Sequence, residues 1–303
     1  MSFIFYDGEI KDESEVSISV RSKVVNYGLG VFEGIRAYWD AEEGQLYGFK
    51  LKEHYKRFLD NAKIVNCKID YTIEELIEIT KELLIKNNCK TTTYIRPLVF
   101  KNGTEIGFSM IGHEDDMLAI FTQPLDKYMA QEEFHVGISS WVRISDNQLP
   151  PSTKAIAGYL NSGLASMEVI ENGFDEAILL NQNGHVCEGP GENVFIVRNG
   201  KLITPCTSDD ILEGITRAIV MELAEKELGI EVIERSISRT ELYRADEVFF
   251  SGTAMEVSPV VSVDRRQVAD GKPGPIFSQI QELFHGLTTG KNEKYAHWCT
   301  PIY

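Results

Sequence analysis

Residues 27–38, YGLGVFEGIRAY, set three glycines (Gly28, Gly30 and Gly34) into an otherwise apolar and aromatic run. Side chains of that kind suit a pleated, half-buried surface, whereas glycine weakens a strand unless a bulge or a closely approaching group requires it. The run therefore calls for a sheet whose backbone is approached closely here. It reads either as a glycine-rich strand or as the wall of a small-molecule site. Glu33 and Arg36 stand alone in it as charges and read as structural.

The surrounding sequence alternates short strands with helices. FIFYDGEI, VFEGIRAYW and QLYGFKL read as strands, followed by a helix over about residues 52–64. In TIEELIEITKELLIKNN, Ile73, Leu76, Ile77, Ile79 and Leu83 recur near helical spacing, and Thr72 with Glu75 forms a capping-box pattern. TTYIRPLVF and MLAIFTQP then read as strands flanking a glycine-bearing loop over 102–112. At KYMAQEEF the chain turns polar. With 303 residues, near the length at which single cores divide, this predicts a small N-terminal domain (1–126), a linker (127–134) and a large C-terminal domain (135–303). The latter offers the strand HVGISSWVRI, a helix over about 153–171, Asn-Gly turns in NQNG and VRNGKLI, a helix over about 215–228 and the strands IEVIERSI and DEVFFSGT.

Charge and composition exclude several functions. A net charge of −16 lacks the basic surface that nucleic acid or anionic lipid requires. The acidic start MSFIFYDGEIKDESEVS is unlike a signal peptide, and no apolar run approaches the roughly 20 residues of a membrane span. The five cysteines are odd in number and lack CxxC spacing, and the six histidines lack HxxxH or HxH spacing. The expectation is a cytoplasmic protein with free thiols, no metal site, no nucleic acid and no membrane.

Four segments could carry chemistry. In QLPPSTKAIAGYLNS, Lys154 falls at the predicted first helical turn, where the helix dipole disfavours a cation. It reads either as a solvated lysine or, if buried, as a neutral amine nucleophile. In HVCEGPGENVFIV, Glu188 and Glu192 flank Gly-Pro-Gly, either as a solvated turn or as a loop aiming a carboxylate into a cleft. Gly214, Ile215 and Thr216 begin a helix, which suits plain capping or a phosphate, and FFSGTAM repeats the arrangement at Ser251, Gly252, Thr253 and Ala254. EHYKRFL adds Arg57, either a solvated helix face or a further cation. An amine, a carboxylate, a phosphate cup and an arginine together suit pyridoxal 5'-phosphate.

With YGLGVFEGIRAY, KEHYKRFLDNAK, YIRPLVF, CEGPGENVFIV, LEGITR and DEVFFSGTAMEVSPV in that order, the chain resembles the branched-chain amino acid aminotransferases. The resemblance implies two α/β (α+β) domains of fold type IV, with pyridoxal 5'-phosphate in the cleft between them. It implies that Lys154 joins the cofactor aldehyde, Tyr159 bonds its phenolic oxygen and Glu188 pairs with its ring nitrogen. Arg57, Ile215, Thr216 and Thr253 would hold the phosphate. Tyr94 with the backbone of Thr253 and Ala254 would take the substrate α-carboxylate, and Tyr27, Phe32, Arg96 and Tyr128 would line the side-chain pocket. The implied reaction moves the amino group of leucine, isoleucine or valine to 2-oxoglutarate in ping-pong fashion. D-amino acid aminotransferases, (R)-selective amine transaminases and aminodeoxychorismate lyases share the fold and are the alternatives. The resemblance also implies a homodimer at least, in which the loop around Gly107 and Phe108 reaches the partner's site. Ala157-Gly158 before Tyr159, and Leu125 where some relatives carry tryptophan, depart from the family pattern.

Overall fold

The computed structural model describes residues 2–303, which form two compact units. The first comprises the chain up to Asp126 together with Thr153–Ala157 and Leu287–Tyr303; the second comprises Lys127–Ser152 and Gly158–Gly286. The second unit begins at Lys127. Residues 153–157 and 287–303 nevertheless return to the first unit, taking Lys154 with them.

The first unit contains β1 (Phe3–Tyr6), β2 (Glu9–Asp12), α1 (Lys23–Tyr27), β3 (Gly30–Phe32), β4 (Ile35–Asp40), β5 (Gln45–Phe49), α2 (Leu51–Ile64), α3 (Ile73–Lys86), β6 (Thr93–Lys101) and β7 (Asp116–Pro124). With the strand Cys299–Pro301 beside β5, its sheet runs on through β4, β6, β7, β1 and β2, and β3 also pairs with β6. Every pairing is antiparallel. The expected capping box begins α3, where the Thr72 hydroxyl accepts from the Glu75 amide (3.2 Å) and the Thr72 amide donates back to the Glu75 carboxylate (2.7 Å). Two expected strands are broken. FIFYDGEI is a β1–β2 hairpin, because Asp7 and Gly8 adopt left-handed backbone (φ 53° and 81°), the turn that matches strand twist. VFEGIRAYW divides at Glu33-Gly34 into β3 and β4.

The second unit contains β8 (Phe134–Val142), α4 (Tyr159–Glu171), β9 (Glu176–Leu180), β10 (Asn193–Arg198), β11 (Lys201–Thr204), α5 (Ile215–Lys226), β12 (Val232–Glu234), α6 (Arg239–Leu242), β13 (Glu247–Gly252), β14 (Glu256–Val263), β15 (Arg266–Gln267) and α7 (Pro275–Leu287). Its mixed sheet runs β12-β11-β10-β13-β14-β8-β9, with β15 on β14. Parallel pairings occur at β11/β12, β14/β8 and β8/β9. Asn199-Gly200 turns β10 into β11 as its sequence predicts. Phe134, Val194, Ile196, Val248, Phe250 and Val260 are among the buried residues of its main core.

Glu247 carries a charge in an otherwise apolar strand, and α7 explains it. Its buried carboxylate accepts from the amides of Ile276 (3.0 Å) and Phe277 (2.7 Å), two of the donors a helix start leaves unsatisfied. Replacing Glu247 by Ala strands these amides, so we expect a loss of about 1–3 kcal/mol in urea unfolding. Glu247→Gln, which keeps an acceptor, should lose less.

Candidate active site

Gly28 and Gly30 lie close against the Lys154 segment, where a Cβ on Gly28 would sit 3.0 Å from Ala157 Cβ. A Cβ on Gly30 would lie 2.6 Å from the Val99 carbonyl and 2.9 Å from Ile156 Cδ1. With no side chain there, Ala155 bridges Val31, and the Phe32 amide donates to the Lys154 carbonyl (3.3 Å). Lys154 itself is not in a helix. Its backbone is left-handed (φ 51°), between short 3₁₀ turns at Pro151–Thr153 and Ile156–Gly158, and α4 starts only at Tyr159. The expected clash with a helix dipole is thereby corrected: the lysine is held by the edge of β3, and its Nζ lies 5.3 Å from the Phe32 ring centroid.

The break at Glu33-Gly34 has its own cause. A Cβ on Gly34 would sit 2.0 Å from the Tyr94 hydroxyl, so only glycine fits. Glu33 beside it is fully buried. One carboxylate oxygen accepts from Arg57 Nε (2.7 Å), and the other accepts from Arg57 Nη2 (2.8 Å) and from the amide of Gly34 (3.3 Å). His54 Nδ1 lies 2.9 Å from the same second oxygen. An ionised carboxylate can only accept, so Nδ1 carries the hydrogen. His54 and Arg57 are three residues apart on α2 and share one face. Burial opposes ionisation of Glu33, but the Arg57 charge and the His54 and Arg57 hydrogen bonds outweigh it and hold the carboxyl well below its usual range. Burial also pushes the His54 pKa down; Glu33 opposes that, while the charges of Arg57 and Lys154 add to it.

Beside this cluster, Arg96 stacks its guanidinium over the Phe32 ring (4.2 Å) and donates to the Tyr94 hydroxyl (2.9 Å). Phe32, Tyr94, Arg96 and Lys154 therefore come together in the first unit. Tyr27, the last residue of α1 rather than part of a strand, accepts from the Gly107 amide (3.3 Å) and meets Phe108 edge-on. Buried Arg36 donates to the carbonyls of Leu125 (3.0 Å) and Asp126 (2.6 Å), anchoring the chain just past the end of β7.

In the second unit Glu188 is buried and surrounded by donors. It accepts from Arg143 Nη2 (2.6 Å), Asn193 Nδ2 (3.1 Å) and the Leu212 amide (2.9 Å). Asn193 also donates to the Leu212 carbonyl (2.8 Å). Sequence reasoning missed Arg143 and Asn193; the available signal was a lone arginine ending the WVRI strand pattern. Gly214 is the N-cap of α5 and supplies no side-chain cap, so the helix opens with the amides of Ile215 and Thr216. Thr253 and Ala254 do not start a helix, contrary to the reading of FFSGTAM: they lie in the turn between β13 and β14, which pair in register from Gly252 with Glu256. Near them the Ser251 hydroxyl is buried without a hydrogen-bond partner among the described residues. Tyr159 is the first residue of α4, and Tyr128 and Ala254 share the lining of a cavity of about 490 Å³ with Met255, Phe277 and His285. Among the described residues no cluster of His, Cys, Asp or Glu could hold a metal, and no helix is long and apolar enough to cross a membrane.

Known proteins resemble this chain over its whole length. The family profile described as amino-transferase class IV matches residues 30–263. A probable branched-chain-amino-acid aminotransferase of Aquifex aeolicus (strain VF5) is 45% identical over 304 residues, spanning 100% of this chain and 97% of its own. A crystal structure of a branched-chain aminotransferase from Thermoproteus uzoniensis with norvaline matches with a TM-score of 0.95 at 43% identity, covering 100% of this chain and 99% of that one. One from Thermobaculum terrenum, in its PLP form, matches at 0.94 and 37%, covering 100% and 98%. The chain belongs to the class IV aminotransferases. It is an enzyme, and its two sheets are those of fold type IV.

The Glu33 cluster makes stability depend on pH. Both Glu33 and His54 have lowered pKa values, so in each case the unfolded chain binds the proton first and stability falls with falling pH. The decline should begin below the ordinary histidine value of 6.5 and deepen below the ordinary glutamate value of 4.5, with a slope of up to about 1.4 kcal/mol per pH unit for each group. Urea melts at pH 8, 6 and 4 test this, and equal stability at all three would contradict it. Glu33→Ala should cost about 3–5 kcal/mol at pH 7, since it leaves Arg57 without its buried counter-ion.

Proposed function

We propose that this chain is a branched-chain amino acid aminotransferase, moving the amino group of L-leucine, L-isoleucine or L-valine reversibly to 2-oxoglutarate with pyridoxal 5'-phosphate as cofactor. The observation that carries the substrate class is Arg96 stacked on Phe32 at 4.2 Å. An apolar ring and a cation in one place suit a pocket that must accept a branched aliphatic group in one half-reaction and a γ-carboxylate in the other. The full-length likeness to aminotransferases named for branched-chain substrates supports the same reading.

The residues present fit the cofactor. Glu188 is a buried carboxylate already held by a cation, the start of α5 lacks a side-chain cap, and the Ser251 hydroxyl is buried without a partner among the described residues. In this reading Arg57, the amides of Ile215 and Thr216, and the hydroxyls of Thr216 and Thr253 hold the phosphate. Tyr159 would bond the phenolic oxygen. Glu188 would pair with the ring nitrogen, with Arg143 and Asn193 orienting its carboxylate. When bound, the cofactor supplies an electron-withdrawing ring that weakens the substrate Cα–H bond. Lys154 Nζ, as a neutral amine, would accept the Cα proton, hold it as an ammonium and give it up again within the same half-reaction. Tyr94 and the amides of Thr253 and Ala254 orient the α-carboxylate, while Tyr27, Phe32 and Tyr128 supply apolar walls and Arg96 the charge. We place the enzyme in the cytoplasm as a homodimer, with the exposed loop at Gly107 and Phe108 meeting the partner.

Incubation with 2-oxoglutarate and, separately, L-leucine, D-alanine or an (R)-arylethylamine tests the assignment. Glutamate should form from L-leucine. Reaction with D-alanine or the amine alone would overturn the substrate class, and pyruvate release from aminodeoxychorismate without an acceptor would mark a lyase. Lys154→Ala should lower turnover by about 10²–10⁴-fold, and borohydride should no longer fix the yellow cofactor to the protein.

A further inference from the structure

Glu33 and His54 are given no part in holding substrate or cofactor, yet both are buried polar groups beside Arg57. Glu33 grips Arg57 through the Nε–Nη2 edge with two hydrogen bonds, 2.7 and 2.8 Å, which fixes the guanidinium plane as well as its position. The grip is itself fixed. The Gly34 amide and His54 Nδ1 hold the carboxylate (3.3 and 2.9 Å), and the Glu33 amide donates to the Pro97 carbonyl (2.8 Å), tying its backbone to β6. Arg57 and His54 come from one face of α2, so the carboxylate ties that helix to the break between β3 and β4. A simple counter-ion would need only proximity. This one presents a chosen orientation of Arg57 from a carboxylate with none of its own surface exposed.

We propose that Glu33, steadied by His54, is a positioning residue for the phosphate end of the cofactor: it aims Arg57, so retention of the phosphorylated cofactor depends on it. This rests on the assignment of Arg57 to the phosphate. The ring and aldehyde of the cofactor answer to other residues, so the effect belongs to the phosphate alone. A merely structural Glu33 would act on all forms of the ligand equally.

Apoenzyme is titrated with pyridoxal 5'-phosphate and with unphosphorylated pyridoxal, following absorbance, for the wild type, Glu33→Gln, Glu33→Asp and Arg57→Ala. Glu33→Gln should raise the dissociation constant for the phosphorylated form by about 10–100-fold, the range typical of partners that orient a ligand-holding group, and change that for pyridoxal by less than about threefold. Glu33→Asp keeps the charge on a shorter arm and should fall between; if the Gln variant does not fold, Asp is read by the same criterion. Equal weakening of both ligands, or of neither, in the folded Glu33 variants while Arg57→Ala discriminates between them overturns the proposal. If Arg57→Ala itself fails to discriminate, the assignment of Arg57 to the phosphate falls instead, and the proposal with it.

Discussion

A carboxylate with none of its surface exposed stays ionised only where protein donors replace its water. Glu33 meets that demand with Arg57, His54 and the amide of Gly34. The demand shapes its surroundings. It requires two polar residues of α2 to face the same way, which the spacing of His54 and Arg57 provides, and it joins that helix to the sheet at the point where β3 gives way to β4. The adjoining residue must be glycine because the Tyr94 hydroxyl occupies the space a side chain would take. Tyr94 in turn accepts from Arg96, whose guanidinium covers Phe32. One buried charge is thus connected, through contacts of ordinary length, to most of the polar groups that the first unit contributes.

The second unit solves a similar problem by similar means. Glu188 is also a buried carboxylate, and it is also met by one guanidinium and by neutral donors. The neutral donors differ in kind. Glu33 uses a histidine and its neighbour's amide; Glu188 uses an asparagine and an amide from the turn that precedes α5. The same asparagine constrains the start of that helix, since a Cβ on Gly214 would lie 2.0 Å from its Oδ1. Carboxylate and helix start are therefore registered to each other.

Much of this was legible in the sequence where a local rule was enough. Thr72 and Glu75 mark the start of α3 because both halves of the capping box lie within one turn, and Asn199-Gly200 marks its hairpin because both residues accept left-handed backbone. Asp7-Gly8 carries the same signal, but a single strand was read through it. Lys154 was misplaced because proline followed by Ser-Thr imitates a helix start, whereas the backbone there is set by bonds to β3, more than a hundred residues earlier in the chain. Glu33 and Arg36 stood out as charges among apolar residues, and Arg36 donates to the carbonyls of Leu125 and Asp126. What no spacing rule could supply was the identity of their partners, since Arg57, Leu125 and Asp126 are distant in sequence. Arg143 was visible as a lone arginine, but its pairing with Glu188, 45 residues away, was hidden for the same reason.

The first unit is assembled from three separated stretches of chain, one of which contains the strand Cys299–Pro301 at the edge of its sheet. Synthesis proceeds from the N-terminus, and domains ordinarily fold in that order. Here that order is unavailable. The unit that starts first finishes last, because β5 keeps an open edge until residues 299–301 have been made, and the lysine segment that covers β3 arrives only after both of the helices α2 and α3. Until then the nascent chain carries an unpaired strand edge, the kind of surface on which neighbouring chains can pair.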